Sequence, residues 1–274
     1  MAIKVLISVD MEGIAGIVHP AETNPERYEY ERGRRLMTAA ANAVVEGVID
    51  AEPTAEVLVA DSHGPYRNIL PEELDRRARL IRGKPRELGM MAGLQAGAQV
   101  AMFVGYHARA GASSAVLAHT MADAILDVRI NDRSHGEIGV NTLLAGSYGV
   151  PVVLASGDAA ACEEFSALVP HAVTVPVKRG LGQHAADSLH PEEAADRLRQ
   201  AATDAMRRYD DHPPVVASGP LHVEVDVHQP RTVDIAALMP GVVTSGRTIV
   251  FDTESMAAAY GMLQLIVMLT QLAP

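Results

Sequence analysis

The chain has 274 residues, 48% of them hydrophobic, and is long enough to bury a sizeable core in one large domain or two modest ones. Its 34 acidic and 23 basic side chains give a formal net charge of -11, which argues against nucleic acid as a partner. The single cysteine, Cys162, excludes an internal disulfide, and the N-terminal region lacks the pattern of a secretion signal, so we expect a cytoplasmic protein.

Short aliphatic runs alternate with longer helical patterns in the first half of the chain. This alternation is typical of an α/β domain with a mainly parallel sheet and flanking helices. A helix is predicted from Asn24-Pro25 through the apolar positions that end at Val48. The other predicted helices cover 71–80, 86–96 and 136–149. The predicted buried strands cover 3–9, 56–60, 98–106, 125–131 and 150–156.

The second half of the chain has shorter strands and more prolines. A helix is predicted over 191–209, and half-exposed antiparallel strands over 221–228 and 247–252. We therefore predict a metal-binding α/β catalytic domain over 1–165. A smaller α+β lobe over 166–274 is expected to serve packing, oligomerisation or pocket closure.

The segment 256–273 is almost free of charge and is close to the length of a membrane span. Gln264 and Gly261 lie inside it, and no basic flank accompanies it. We interpret it as a helix packed inside protein or at a subunit interface, and we expect no association with a membrane.

Two carboxylates, Asp10 and Glu12, follow the first predicted strand in the stretch "SVDMEG". Side chains two apart on a strand share a face, so these groups can converge on one point. They repel each other unless a proton or a cation lies between them. Taken alone, the pair is better explained by a solvated loop with incidental acids. Gly13 is expected to let the chain turn away from the strand.

Two histidines follow the next predicted strands. His63 lies in "DSHG" after the strand at 56–60, and His107 comes directly after the strand at 98–106. Ligands of open parallel α/β sheets collect at the carboxyl ends of the strands. If the three strands are parallel, both histidines and both carboxylates lie along one edge of the sheet.

Glu137 and His119 complete the candidate site. Glu137 stands at the start of a predicted helix, where an acid also complements the helix dipole, and His119 could be a core histidine. Carboxylates and imidazoles without thiolate suit zinc, or manganese and similar divalent ions. Five such ligands exceed the three of a mononuclear catalytic zinc site and indicate two metals bridged by a carboxylate.

Two other patterns have simpler explanations. The stretch Gly180 to Ala185 fits G-x-G-x-x-A, but it follows neither the first strand nor a clear βαβ unit, so we interpret its glycines as a turn and expect no dinucleotide. Cys162 lies in a helical pattern without neighbours that would lower its pKa, and we interpret it as structural.

Several motifs together resemble a known family. They occur in an order and spacing similar to those of the binuclear zinc D-aminopeptidases of bacteria and archaea, and they are "SVDMEGIAG", "DSHG", "GYHARA", "AHTM" and "NDRSHGEIGVN". The resemblance runs from Lys4 through Ser156 and more loosely through 238–251 to the C-terminal helix. One extra residue between His107 and His119 departs from the family pattern and leaves the substrate preference open.

The resemblance implies a hydrolase that removes N-terminal D-amino acids, such as D-alanine, from short peptides or amides with a free N-terminus. It implies two zinc ions per subunit that activate a water, a catalytic role for His119, and a homodecamer of two stacked pentamers. The metal ligands that it implies are Asp10, Glu12, His63, His107 and Glu137.

We expect Asp10 to bridge the two ions, with Glu12 and His107 completing one site and His63 and Glu137 the other. Two alternatives stay open. One is a metal-dependent amidase or esterase that acts on another small substrate. The other is a non-catalytic module that binds a metal or a small molecule.

Overall fold

The computed structural model describes residues 2–272, which form two β-sheets with helices packed between and around them. In chain order the strands are β1 (Lys4–Val9), β2 (Glu56–Asp61), β3 (Ala78–Ile81), β4 (Val100–Tyr106), β5 (Ile125–Ile130), β6 (Arg133–Ser134), β7 (Val152–Asp158), β8 (Val173–Gly182), β9 (Ala185–Ser188), β10 (Leu221–Val227), β11 (Val242–Ser245) and β12 (Thr248–Thr253). The helices are α1 (Pro20–Thr23), α2 (Tyr30–Ala51), α3 (Glu137–Ser147), α4 (Ala159–Leu168), α5 (Pro191–Met206), α6 (Pro230–Ala236) and α7 (Met256–Gln271).

The first sheet has the strand order β3-β2-β1-β4-β7-β8-β9, and each pair except β8 with β9 is parallel. Both faces of its central strands are buried, since alternate side chains enter two different hydrophobic clusters. Val5 and Ile7 point towards α2 and α5, whereas Leu6 points towards the second sheet. The predicted mainly parallel sheet with flanking helices is confirmed.

The order of strands in this sheet reverses between β1 and β4. The chain moves outward from β1 through β2 to β3, and then starts again on the other side of β1 with β4 and β7. Such a switch point leaves a crevice at the carboxyl ends of the two central strands, where ligands of open α/β sheets bind. The segments that follow β1 and β4 carry three of the predicted ligands, Asp10, Glu12 and His107.

The second sheet is antiparallel and has the order β11-β12-β10-β5-β6. Helix α3 packs on β4 and β7 of the first sheet and against α7, which packs on β10 and β12 of the second. The two sheets draw on interleaved parts of the chain, because β5 joins the second sheet and β8 the first. A division into two units near residue 165 therefore stays a prediction.

Three of the helix predictions are wrong. The long helix begins at Tyr30 rather than at Asn24, because Asn24 ends α1 and its side chain accepts a hydrogen bond from the Glu26 N–H, which forms a turn. The segment 71–80 contains turns and then β3, which pairs with β2.

The predicted helix over 86–96 is also wrong. It is replaced by two single-turn 3₁₀ helices, Gly89–Met91 and Leu94–Ala96. Gly93, between them, has φ 126°, a conformation that no α-helix continues.

The apolar C-terminal segment forms α7, which buries one stripe that includes Tyr260 and Leu263 against the core and exposes Leu265 and Met268. None of the helices within residues 2–272 combines the length and the apolar character needed to cross a membrane.

Candidate metal centre

The six predicted site residues converge at the carboxyl edge of the first sheet. β1 is parallel to both β2 and β4, so the segments that follow these three strands leave the sheet on the same side. Glu137 reaches the same place from the first position of α3, and His119 from the loop between β4 and β5.

Asp10 and Glu12 occupy the centre of this edge and are almost completely buried, with 2% and 6% of their surface exposed. Oδ1 of Asp10 accepts a hydrogen bond of 2.9 Å from the Met11 N–H, which leaves Oδ2 pointing into the site. Oε1 of Glu12 lies 3.0 Å from Nε2 of His63. The strand end thus presents two carboxylate oxygens to the same small space.

A buried amide orients His63. Nδ1 of His63 lies 3.2 Å from Oδ1 of Asn68, which also accepts a hydrogen bond of 2.7 Å from the Tyr30 hydroxyl. Nδ2 of Asn68 donates in turn to Oδ1 of Asp61 at 2.7 Å. Because Nδ1 must donate to this oxygen, Nε2 is the nitrogen left for the site.

His107, His119 and Glu137 form the other side of the site. Nε2 of His107 lies 3.5 Å from Oδ2 of Asp10 and 3.4 Å from Oε1 of Glu137. The rings of His107 and His119 stack with centroids 4.1 Å apart, and Nε2 of His119 lies 3.7 Å from the same oxygen of Glu137. With 22% of its side chain exposed, His119 is the most accessible of these groups.

Three ligand-type atoms of the site have no hydrogen-bond partner within residues 2–272. They are Oδ2 of Asp10, Oε2 of Glu12 and Nε2 of His107, and each is buried. A buried polar atom without a partner costs about 1–3 kcal/mol, so three of them at one point indicate a missing charged partner. Asp10, Glu12 and His107 can offer atoms within 4.8 Å of one another, as can His107, His119 and Glu137. These residues therefore fit divalent metal ions of the zinc type.

The pKa values of the buried acids and histidines are shifted in the way expected of a cation-binding site. Burial, together with the negative charges of Glu12 and Glu137, raises the pKa of Asp10 well above its usual value. Burial alone would lower the pKa of His63, but the adjacent Glu12 carboxylate raises it to about 9. Without metal, these groups keep protons that a bound cation would displace.

A carboxylate on α4 links two of the segments that bear candidate ligands. Oε1 of Glu164 accepts a hydrogen bond of 2.9 Å from the Gly136 N–H, and Oε2 accepts one of 3.1 Å from the Arg109 N–H. Arg109 follows His107 by two residues, and Gly136 precedes Glu137. Glu164 thereby fixes the distance between the loop after β4 and the start of α3.

The structure brings together the six candidate residues that the sequence singled out, but sequence reasoning missed the groups that hold them. Asn68 lies seven residues beyond Asp61, in a loop without periodicity. Glu164 lies on the ordinary helix α4 and is only partly buried, so nothing in the sequence distinguishes it. Lys178, on the partly buried strand β8, is a further group that sequence reasoning missed, and its own burial is unusual because charged side chains are rarely buried.

Comparisons with known proteins give one consistent result. A family model described as D-aminopeptidase, peptidase family M55, matches residues 3–265. The D-aminopeptidase of Bacillus subtilis (strain 168) is 34% identical over 272 residues, which cover 98% of this chain and 97% of that protein. The solved structure of the Zn-dependent D-aminopeptidase DppA from Bacillus subtilis, described as a self-compartmentalizing protease, superposes with a TM-score of 0.95 at 32% identity and covers 99% of each chain.

Proposed function

This chain belongs to the D-aminopeptidase family, and we propose that it is a zinc-dependent hydrolase that releases D-amino acids from the N-termini of short peptides and amides. The observation that carries the proposal is the convergence of three buried, unpartnered ligand atoms, from Asp10, Glu12 and His107, at the switch point of the sheet. A metal-dependent enzyme of this family needs such a set of donors.

We propose two zinc ions per subunit, with Asp10 between them. The contact distances favour a division different from the one expected from the sequence. Glu12 lies against His63 at 3.0 Å, while His107 lies against Glu137 at 3.4 Å. Glu12 and His63 would hold one ion, and His107 and Glu137 the other. When bound, the ions supply Lewis-acid chemistry, which acidifies water and polarises the scissile carbonyl group.

His119 is proposed as the residue that transfers a proton during the reaction. Its Nδ1 donates to the carbonyl oxygen of Leu117 at 2.9 Å, so Nε2 faces the site. It is more exposed than the ligands and can therefore meet a substrate. Because the leaving amine needs a proton when the amide bond breaks, an imidazole at this place suits a general acid or base better than a direct nucleophile.

We base a proposal for the oligomeric state of this chain on its family membership. The related structure is described as a self-compartmentalizing protease, and we propose that this chain likewise forms a homo-oligomer, specifically a decamer. Light scattering coupled to size-exclusion chromatography measures the mass directly, and a monomeric mass would contradict the proposal. A cytoplasmic location stays a prediction.

The test of function combines metal analysis with a substrate panel. We expect two zinc ions per chain and hydrolysis of D-alanyl amides and dipeptides in preference to their L-isomers. Preference for simple esters or for blocked amides would instead support the broader amidase or esterase function. Bound metal without hydrolysis of any substrate would support a binding module.

The variant Asp10→Ala links metal to function. We expect it to lose both zinc and activity while keeping the circular dichroism spectrum of the parent. Asp187→Ala is the matched control, because the side chain of Asp187 is exposed and lies 3.8 Å from Arg179 at the surface. Full activity in Asp10→Ala would contradict the central role of this carboxylate.

A further inference from the structure

A lysine is buried next to the metal centre on the strand β8. Lys178 has 3% of its surface exposed, and its Nζ donates hydrogen bonds to the backbone carbonyl oxygens of Glu12, Ile14 and Ile17. The distance to Ile14 is 3.0 Å and the distance to Ile17 is 2.5 Å. An ammonium group has three N–H donors, and here each one has an acceptor.

The three acceptors belong to the short irregular segment between β1 and α1, which carries Glu12. Within residues 2–272, Lys178 makes no ion pair with a carboxylate. The desolvation of a buried ammonium is costly, and these carbonyl oxygens offset it together with the nearby negative charges of Asp158, Glu12 and Glu22. The carbonyl oxygens of this segment therefore form a cradle for one small cation, and the ammonium group of the Lys178 side chain fills it.

The peptide group between Glu12 and Gly13 is held from both sides. The Gly13 N–H donates to the carbonyl oxygen of Gly105 in β4 at 2.8 Å, while the carbonyl oxygen of Glu12 accepts from Lys178. Both polar atoms of the Glu12–Gly13 peptide group are thus fixed, one by β4 and one by β8. Since the Glu12 side chain leaves the backbone directly before this peptide group, its direction is fixed as well.

We propose that Lys178 is a positioning residue for Glu12: its ammonium fills the carbonyl cradle of Glu12, Ile14 and Ile17 and so places the Glu12 carboxylate for zinc. This inference rests on the proposed function in so far as Glu12 is a zinc ligand. It has a direct chemical consequence. A chain without the Lys178 side chain would leave a cradle that accepts a primary alkylammonium ion from solution.

The test is chemical rescue of Lys178→Ala. n-Propylammonium has the atoms that the substitution removes, and 1-propanol and tetramethylammonium are controls that lack the charge or the N–H donors. We expect Lys178→Ala to bind zinc about 10–100-fold more weakly in a chelator competition, as for other groups that orient metal ligands. We also expect a lower kcat with a KM close to that of the parent. Propylammonium should restore zinc affinity and kcat, and the two controls should restore neither.

Two further variants keep the test decisive where Lys178→Ala does not fold. Lys178→Met has a similar length without charge or donors, and Lys178→Arg keeps a charged donor. We expect tight zinc binding to be largely retained in Lys178→Arg and lost in Lys178→Met. Zinc affinity equal to that of the parent in Lys178→Met, or rescue of Lys178→Ala by 1-propanol as well as by propylammonium, would overturn the proposal.

The zinc competition separates this inference from the proposed function. A parent protein that binds zinc but hydrolyses no D-alanyl substrate would refute the proposed function. The zinc affinities of the Lys178 variants would still decide whether this lysine positions Glu12.

Discussion

The substitution Gly13→Ala tests how closely the turn that carries Asp10 and Glu12 must approach β4. A Cβ atom on Gly13 would lie 1.8 Å from the carbonyl oxygen of Tyr106 and 2.6 Å from the carbonyl carbon of Gly105. Ordinary van der Waals contact begins at 3.4 Å, and both neighbours are backbone atoms of a central strand that cannot rotate away. The turn itself must therefore move by more than 1 Å.

The loss of free energy of unfolding in Gly13→Ala follows from the contacts that this movement breaks. Overpacking against rigid neighbours costs about 1–3 kcal/mol. Loss of the hydrogen bond from Gly13 to Gly105 adds about 1 kcal/mol, and the lower entropy of the unfolded alanine chain returns about 0.4–1 kcal/mol. We expect a loss of about 1–3.5 kcal/mol in the free energy of unfolding, equivalent to a decrease in Tm of about 2–14 °C.

We expect Gly13→Ala to reduce turnover by a larger factor than its loss of stability alone would cause. A displacement of about 1 Å at a catalytic group can reduce turnover about 100-fold, and Glu12 precedes Gly13 directly. Differential scanning calorimetry, zinc analysis and turnover measure the three effects. Gly182→Ala is the matched control, because no atom of the described chain lies within 4 Å of its added Cβ and its φ is not in the left-handed range. A Gly13→Ala protein with the Tm and zinc content of the parent would refute the reasoning.

Three further predictions concern protonation and reactivity. His119→Ala should keep its zinc content and lose about 100-fold or more in turnover, and unchanged turnover would exclude a role for this imidazole in proton transfer. Zinc binding to the metal-free protein should release close to one proton from His63 at pH 7, because burial lowers its pKa but Glu12 raises it to about 9. Zinc affinity should then fall at least about tenfold per pH unit below about pH 9, since Asp10, whose pKa is also raised, adds to the protons displaced. Equal heats by calorimetry in buffers of different ionisation enthalpy would contradict this. Burial and the nearby Asp158 raise the pKa of the Cys162 thiol to about 12, so about one molecule in 10,000 has a thiolate at pH 8, and the native protein should resist thiol reagents that label it rapidly in urea.

The candidate site could be predicted from the sequence because it follows general rules of the α/β fold. A parallel sheet places the residues that follow its strands at one edge, so Asp10, His63 and His107 could be located without coordinates. The predicted strands around them were correct because continuous aliphatic runs are typical of buried parallel strands.

Other features depend on contacts between distant segments, which local patterns do not contain. The sequence predicted a helix over 71–80, but β2 offers an edge there, and pairing with β2 overrides local propensity. Gly13 was expected to provide a change of direction. The structure shows that glycine is needed there because the backbone of β4 leaves no room for a side chain.

The interleaving of the two sheets has a consequence for how this protein can be divided. Between His107 and Glu137 the chain leaves the first sheet, forms β5 and β6 in the second, and returns. A polypeptide ending near residue 165 would leave β5 without its antiparallel partner β10. Recombination of the two halves with those of a distant relative would have to preserve this pairing, because a loosened second sheet would release the segment that delivers Glu137. We therefore expect the candidate metal centre and the second sheet to be inherited as one unit.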